Sequence, residues 1–270
     1  MNRHSNDNLQ TFGEHLDVLR KVLFRIVVLS FVIAFGAFFF KEQVFKWLLA
    51  PCTRDFVTYN FVNKTLHVIG GREDVYTSDI ELIATDLPSQ FLAHMSMSLY
   101  IGILLSSPFI IYELFKFVSP ALYDQERKYS SRVIVSAYTL FIVGLLVSYF
   151  LLFPISCRFL ATYSVSEHVK TMITLDSYIS TFVSLTLLMG LVFQLPILSF
   201  FLAKLGFINP MLMEVHRKHA FVLILIVAAI ITPPDVMTLI LVSFPLYVLY
   251  EISIVVVRIS YPKTVKSNIK

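Results

Sequence analysis

Two apolar runs, Gln90 to Phe115 (QFLAHMSMSLYIGILLSSPFIIYELF) and Val133 to Ile155 (VIVSAYTLFIVGLLVSYFLLFPI), flank the polar stretch Phe117 to Arg127, FVSPALYDQER. About 20 apolar residues in helical form cross a hydrocarbon core of about 30 Å, and both runs reach that length. Neither shows the period-two alternation of an outer-membrane barrel strand. The stretch between them places a proline break, aromatics and carboxylates at a membrane face. Four further runs approach the same length: Val22 to Phe40, Tyr178 to Leu202, Ala220 to Ile231 and Val236 to Val257. Composition agrees, because 57% hydrophobic and 15% charged residues with a mean hydropathy of +0.75 give more apolar surface than a soluble domain of this length buries. The expectation is a single polytopic, all-α membrane domain over 1–270 with six transmembrane helices. The first run follows a polar leader, shows no small-x-small cleavage site after Phe40 and precedes five more runs. It is therefore expected to stay as a signal anchor.

Charge sets the orientation. With six spans, the leader (1–21), the loops 116–132 and 203–219 and the tail (258–270) share one side, and fifteen of the 22 Lys and Arg residues lie there, counting Arg25 just inside the first span. The opposite loops, including the long 41–89 segment, are rich in acids such as Glu73, Asp74 and Asp79. The positive-inside rule places both termini in the cytoplasm, in an inner (plasma) membrane. The net charge of +4 is this bias together with attraction to anionic lipid, and needs no nucleic acid.

The fifth run, AFVLILIVAAII, has about 18 Å of helical reach at about 1.5 Å per residue. The sixth contains Pro245, which removes a backbone donor. The last two helices are thus short, joined by Thr232-Pro233-Pro234-Asp235, and imply a locally thinned bilayer or shelter by neighbours. His94, Glu113, Gln194 and Glu251 lie at membrane depth or its edges, where polar groups face a bundle interior or a wet cavity. Gln194, beside Pro196, is read either as a donor to another helix, of this chain or of a partner, or as an internal tie to its own backbone; Glu113 and Glu251, near helix ends, are expected to reach headgroup water.

In the outer loop, Lys41 to Ala50 reads as a short helix with Val44, Trp47 and Leu48 on one face, ended by Pro51. Phe56 to Phe61 and Thr65 to Ile69 read as strands of a capping β-hairpin, with Gly70-Gly71 as a turn. Cys52 and Cys157 fall on the outer side, where a disulfide is permitted, but the preferred reading is two unpaired small hydrophobes. His216 and His219 read as a solvated helix face, so no metal site is expected. Phosphate-loop, zincin and nucleophile-elbow motifs are missing, so any work the protein does draws its energy from elsewhere, and no cofactor is expected.

Phe12, His15, Leu16, Leu19 and Arg20 near the N-terminus, Ala50-Pro51 after the first span, and Phe117, Pro120, Leu122, Tyr123, Glu126 and Arg127 in the first polar loop form an ordered series. Leu195-Pro196, Thr232 to Asp235 and Pro245 to Glu251 continue it. In that order these motifs resemble the TatC family, the receptor subunits of the twin-arginine protein translocase, over nearly the whole chain. The resemblance implies a six-helix receptor and scaffold that recognises paired arginines in the signal peptides of folded precursors. It implies TatA- and TatB-type single-span partners, a homo-oligomer within the complex, the protonmotive force as energy source, and no enzymatic role. It assigns signal-peptide binding to Glu126, Phe117, Arg20, Tyr123 and Pro120, and an intramembrane or partner-facing polar site to Gln194, Pro196, Asp235 and Pro51. Paired guanidiniums at a membrane surface need carboxylates that accept charge-assisted, bidentate bonds. The chain departs from the family where a second glutamate is usual, carrying Val18; on a surface helix either Asp17 or Glu14 would substitute. It also carries Gln194 in place of a frequent mid-membrane glutamate. The rival reading is a proton-coupled secondary transporter of a small solute, with Gln194, His94 and Glu251 as its relay.

Overall fold

The computed structural model describes residues 12–69, 79–118, 130–164, 166, 168, 171–232 and 235–260. The chain is mostly helical. The described elements are α1 (Phe12–Phe38), α2 (Lys41–Leu49), a 3-10 turn (Ala50–Cys52), α3 (Val57–Ile69), β1 (Leu82–Ile83), α4 (Ser89–Val118), α5 (Ser130–Val147), a π-helical turn (Ser148–Leu152), α6 (Phe153–Thr162), β2 (Ile173–Thr174), α7 (Leu175–Val192), α8 (Leu195–Lys204), α9 (Pro210–Val215), α10 (Arg217–Ile231) and α11 (Val236–Ser260). Among the described residues, five helical stretches are long and apolar enough to cross a membrane: Leu16–Phe38, Ser89–Phe117, Arg132–Thr162, Leu175–Lys204 and Val236–Ser260. The fifth expected run lies within α10, whose 15 residues reach about 22 Å.

Helices α1 and α4 approach closely because small residues face each other. A Cβ on Gly102 would lie 2.5 Å from the Ser30 carbonyl oxygen and 2.6 Å from the Ala34 Cβ. One turn further along α4, the Ser106 and Ser30 hydroxyls are 2.7 Å apart. Without a hydrophobic drive between helices in lipid, such close backbone packing and hydroxyl bonding hold spans together. The outward face of α1 (Phe24, Val27, Phe31, Phe35) remains exposed, as a lipid-facing surface does.

Helices α5 and α7 meet through the same device, with Gly144 against Phe193 and Gly190 against Phe141. The path from α5 to α6 carries the π turn just before Pro154. A proline there cannot donate to the Phe150 carbonyl four residues back, and the Thr58 hydroxyl of α3 donates to that oxygen instead. Beside it, the Tyr59 hydroxyl is 2.8 Å from the Pro51 carbonyl and 3.1 Å from that of Pro154.

These contacts correct the expected hairpin. Residues 57–69 are helical, and Thr58 and Tyr59 are buried while Val57, Asn60 and Phe61 are exposed, a helical rather than an alternating pattern. The segment is rich in residues that favour strands, but packing against the π turn outweighs that weak preference. Among the described residues the strands are instead β1 and β2, which pair in parallel, Leu82 with Ile173 and Ile83 with Thr174, joining distant loops. The expected short helix is present as α2, with Val44 and Leu48 buried and Trp47 exposed; Gly70-Gly71 lies outside the described residues.

After α8, Gly206 takes a φ of +80°, a conformation suited to glycine, and turns the chain. The Asn209 side chain then accepts from the Leu212 amide at 2.6 Å and starts α9. Helices α8, α9 and α10 all pack against α11.

Candidate functional site

The expected binding residues divide into those the structure describes and those it does not. Glu126, Tyr123 and Pro120 lie outside the described residues. Phe117 is half-buried near the end of α4. Asp17 and Arg20 are exposed on α1, and both line a cavity of about 470 Å³ together with Lys21, Phe24 and Arg25. Glu14 sits near the start of the same helix, and the Val18 side chain is exposed. The structure thus brings Asp17 and Arg20 to one basic hollow at the end of the bundle where α4 carries Phe117.

Sequence reasoning missed what lies beneath that hollow. Glu113 does not reach headgroup water as expected; it is 5% exposed, one helical turn before Phe117. Its Oε1 is 3.6 Å from the Arg25 guanidinium. The available signal was Arg25 itself: an arginine inside an apolar run asks for a carboxylate at the same depth on a neighbouring helix. Glu251 is the more open case. It accepts from Arg217 at 2.9 Å and from the Tyr247 hydroxyl at 3.2 Å, tying α10 to α11.

The second group of residues serves the frame. Gln194 occupies the break between α7 and α8, and its amide donates to the Ala137 carbonyl of α5 at 3.1 Å. Of its two readings, the bond matches the interhelical donor, to another helix of the same chain, and not a tie to its own backbone. Pro196 is buried in the first turn of α8. Asp235 caps α11 by accepting from the Thr238 amide at 2.6 Å. The Pro51 carbonyl receives the Tyr59 hydroxyl.

His94, the third member of the imagined relay, stacks on Phe38 with ring centroids 4.2 Å apart. Among the described residues, His94, Gln194 and Glu251 have separate partners, Phe38, Ala137 and Arg217 with Tyr247, and these contacts do not join the three. Cys52 and Cys157 are both buried as free thiols. Burial pushes the Cys52 thiol above its ordinary pKa, against the smaller lowering effects of the Tyr178 hydroxyl and the Arg158 charge.

Fold and site together define a multi-pass helical membrane protein with a polar hollow at one end of the α1–α4 pair. The TatC family profile, described as Sec-independent protein translocase protein (TatC), matches residues 14–245. The chain is 35% identical over 262 residues to the Sec-independent protein translocase protein TatCy of Bacillus subtilis (strain 168), covering 97% of this chain and 94% of that protein. It is 35% identical over 251 residues to the TatC protein of Blattabacterium sp. subsp. Periplaneta americana (strain BPLAN), covering 92% of this chain and 94% of the relative. A crystal structure described as the twin-arginine translocase receptor TatC superposes with a TM-score of 0.73 at 30% identity, covering 92% of this chain and 99% of that one. This chain belongs to the TatC family.

Proposed function

We propose that the protein is the signal-peptide receptor and scaffold of a Sec-independent, twin-arginine translocase. The observation that carries this reading is family membership along nearly the whole chain. The hollow lined by Asp17 and Arg20 beside the Phe117 end of α4 supports the location. In this reading Glu126 accepts one signal-peptide guanidinium near the headgroup boundary, where partial desolvation strengthens a charge-assisted bond. Phe117, Tyr123 and Pro120 shape the surface around it, while Arg20, Asp17 and Glu14 set its charge.

The proposed topology has six spans, with α10 as a short fifth, both termini in the cytoplasm and residence in the inner membrane. A helix reaching about 22 Å suits a bilayer thinned beside the α10–α11 hairpin. TatA- and TatB-type single-span proteins are the proposed partners, with a homo-oligomer in the complex. The protonmotive force supplies the energy, so the protein binds and organises without being an enzyme.

The test uses full-length protein purified in detergent, a signal peptide carrying Arg-Arg and its Lys-Lys twin. Affinity for the Arg-Arg peptide should exceed that for the twin by about tenfold or more, the scale of one charge-assisted bidentate contact. Glu126→Ala should lose a similar factor. Indifference to both changes would overturn the receptor reading.

A further inference from the structure

Among the described residues, Glu113 is the one acid that is buried. Its Oε1 faces Arg25 at 3.6 Å, whereas its Oε2 is shielded from solvent and has no hydrogen-bond partner. A charge-assisted N–H···O bond closes to about 2.7–2.9 Å. Arg25 therefore balances the charge of Glu113 without satisfying its lone pairs. A buried carboxylate left in that condition is costly unless another donor arrives.

The counter-ion is loosely held. The Arg25 side chain is 57% exposed, and it forms part of the lining of the hollow that also contains Asp17 and Arg20. If the carboxylate is claimed by another group, the Arg25 guanidinium lies at the bundle surface, within reach of headgroups or water. The carboxylate, by contrast, sits on α4, fixed to α1 by the Ser30–Ser106 bond and the Gly102 contact. One partner is exposed at the surface of the bundle, and the other is buried and half-bonded.

We infer that Glu113 is a second acceptor for signal-peptide arginine, held in the empty receptor by Arg25 as an internal stand-in that the arriving guanidinium displaces. This rests on the receptor reading above. It supplies the second carboxylate that Val18 does not, from α4 instead of α1. A guanidinium fork can fill both oxygens of one carboxylate, whereas the compact ammonium of lysine meets the site as a point charge. Exchange at Glu113 therefore favours arginine.

The experiment measures binding of Arg-Arg, Arg-Lys, Lys-Arg and Lys-Lys signal peptides to wild type, Glu113→Gln, Arg25→Gln and Glu126→Ala. Glu113→Gln should weaken the Arg-Arg peptide by about tenfold or more and narrow its advantage over one singly substituted peptide. Arg25→Gln should tighten Arg-Arg binding, because the resident competitor is gone. Wild-type affinity in Glu113→Gln, with Glu126→Ala impaired, overturns the role of Glu113 and leaves the receptor standing. If Glu113→Gln does not fold, Arg25→Gln decides: tighter Arg-Arg binding supports the exchange, and unchanged or weaker binding overturns it. Indifference of the wild type to all four peptides removes the receptor reading itself.

Discussion

At the end of the bundle that carries Cys52, hydroxyl groups are bonded across elements: Tyr59 to Pro51 and Pro154, Thr58 to Phe150, and Tyr178 to the Leu48 carbonyl at 2.7 Å. Aromatic rings fill the space between, with Phe153 edge-on to Tyr178 at 5.0 Å and to Phe182 at 4.9 Å. At the end that carries Glu113, the corresponding polar contact is a 3.6 Å ion pair beside an open hollow. The Cys52 end bonds its tyrosine and threonine hydroxyls across elements, although the Ser148 and Ser156 hydroxyls there have no partner, while the other end leaves an acid's oxygen unbonded beside an open hollow. A receptor gains from that division, because a rigid frame fixes the acceptor geometry while unsatisfied groups keep their bonding capacity for the ligand.

The largest test of the comparison is on the contact that both ends share. Gly102→Val would force α1 away from α4, since a Cβ there already collides with Ser30 and Ala34. A loss of about 1–3 kcal/mol or more is expected, read as a lower unfolding temperature in detergent. Tolerance of valine would mean the α1–α4 spacing is soft and would weaken the argument that Glu113 is held rigidly.

Next in size is Tyr59→Phe, which keeps the ring and removes the donor from two carbonyl oxygens. The expected cost is about 1–3 kcal/mol, measured by the same thermal unfolding. The Cys52 thiol, pushed up by burial at the same end, should resist alkylation in folded protein at a pH where a free thiol reacts. With the folded pKa raised, its contribution to stability is full below the ordinary thiol value near 9.0 and fades as pH rises above it. Fast labelling under native conditions would show that the tight end opens.

Hydropathy alone made the long helices legible, because span length is set by the bilayer and not by neighbours. The short helix α2 was readable from its apolar face and its proline stop. The α3 helix was not, since Val57, Thr58, Tyr59, Phe61 and Val62 favour strands locally and the deciding contact, Thr58 with Phe150, is 92 residues away in sequence. The cap on α11 by Asp235 lay within a motif already noticed. Glu113 was visible as a polar residue at membrane depth, but its burial depends on the register of α1 against α4. That register is fixed by Ser30, Ala34, Gly102 and Ser106, whose facing no single-sequence pattern reveals.

The smallest expected effect on stability is at Glu113, and it is the sharpest test of the difference between the ends. Removing one partner of a buried ion pair usually costs several kcal/mol because the other charge is stranded. Here Arg25 keeps 57% of its side chain exposed near the end of the first span, so the charge left behind is not stranded inside the bundle. Glu113→Gln should therefore change unfolding free energy by no more than about 1 kcal/mol, as for an exposed pair, while Tyr59→Phe at the opposite end costs more. A large loss of stability in Glu113→Gln would mean the carboxylate is a structural keystone, and both ends of the bundle would then be built alike. A small one, alongside weakened Arg-Arg peptide binding, would place its value in the ligand-bound state, where its unbonded oxygen finally gains a donor.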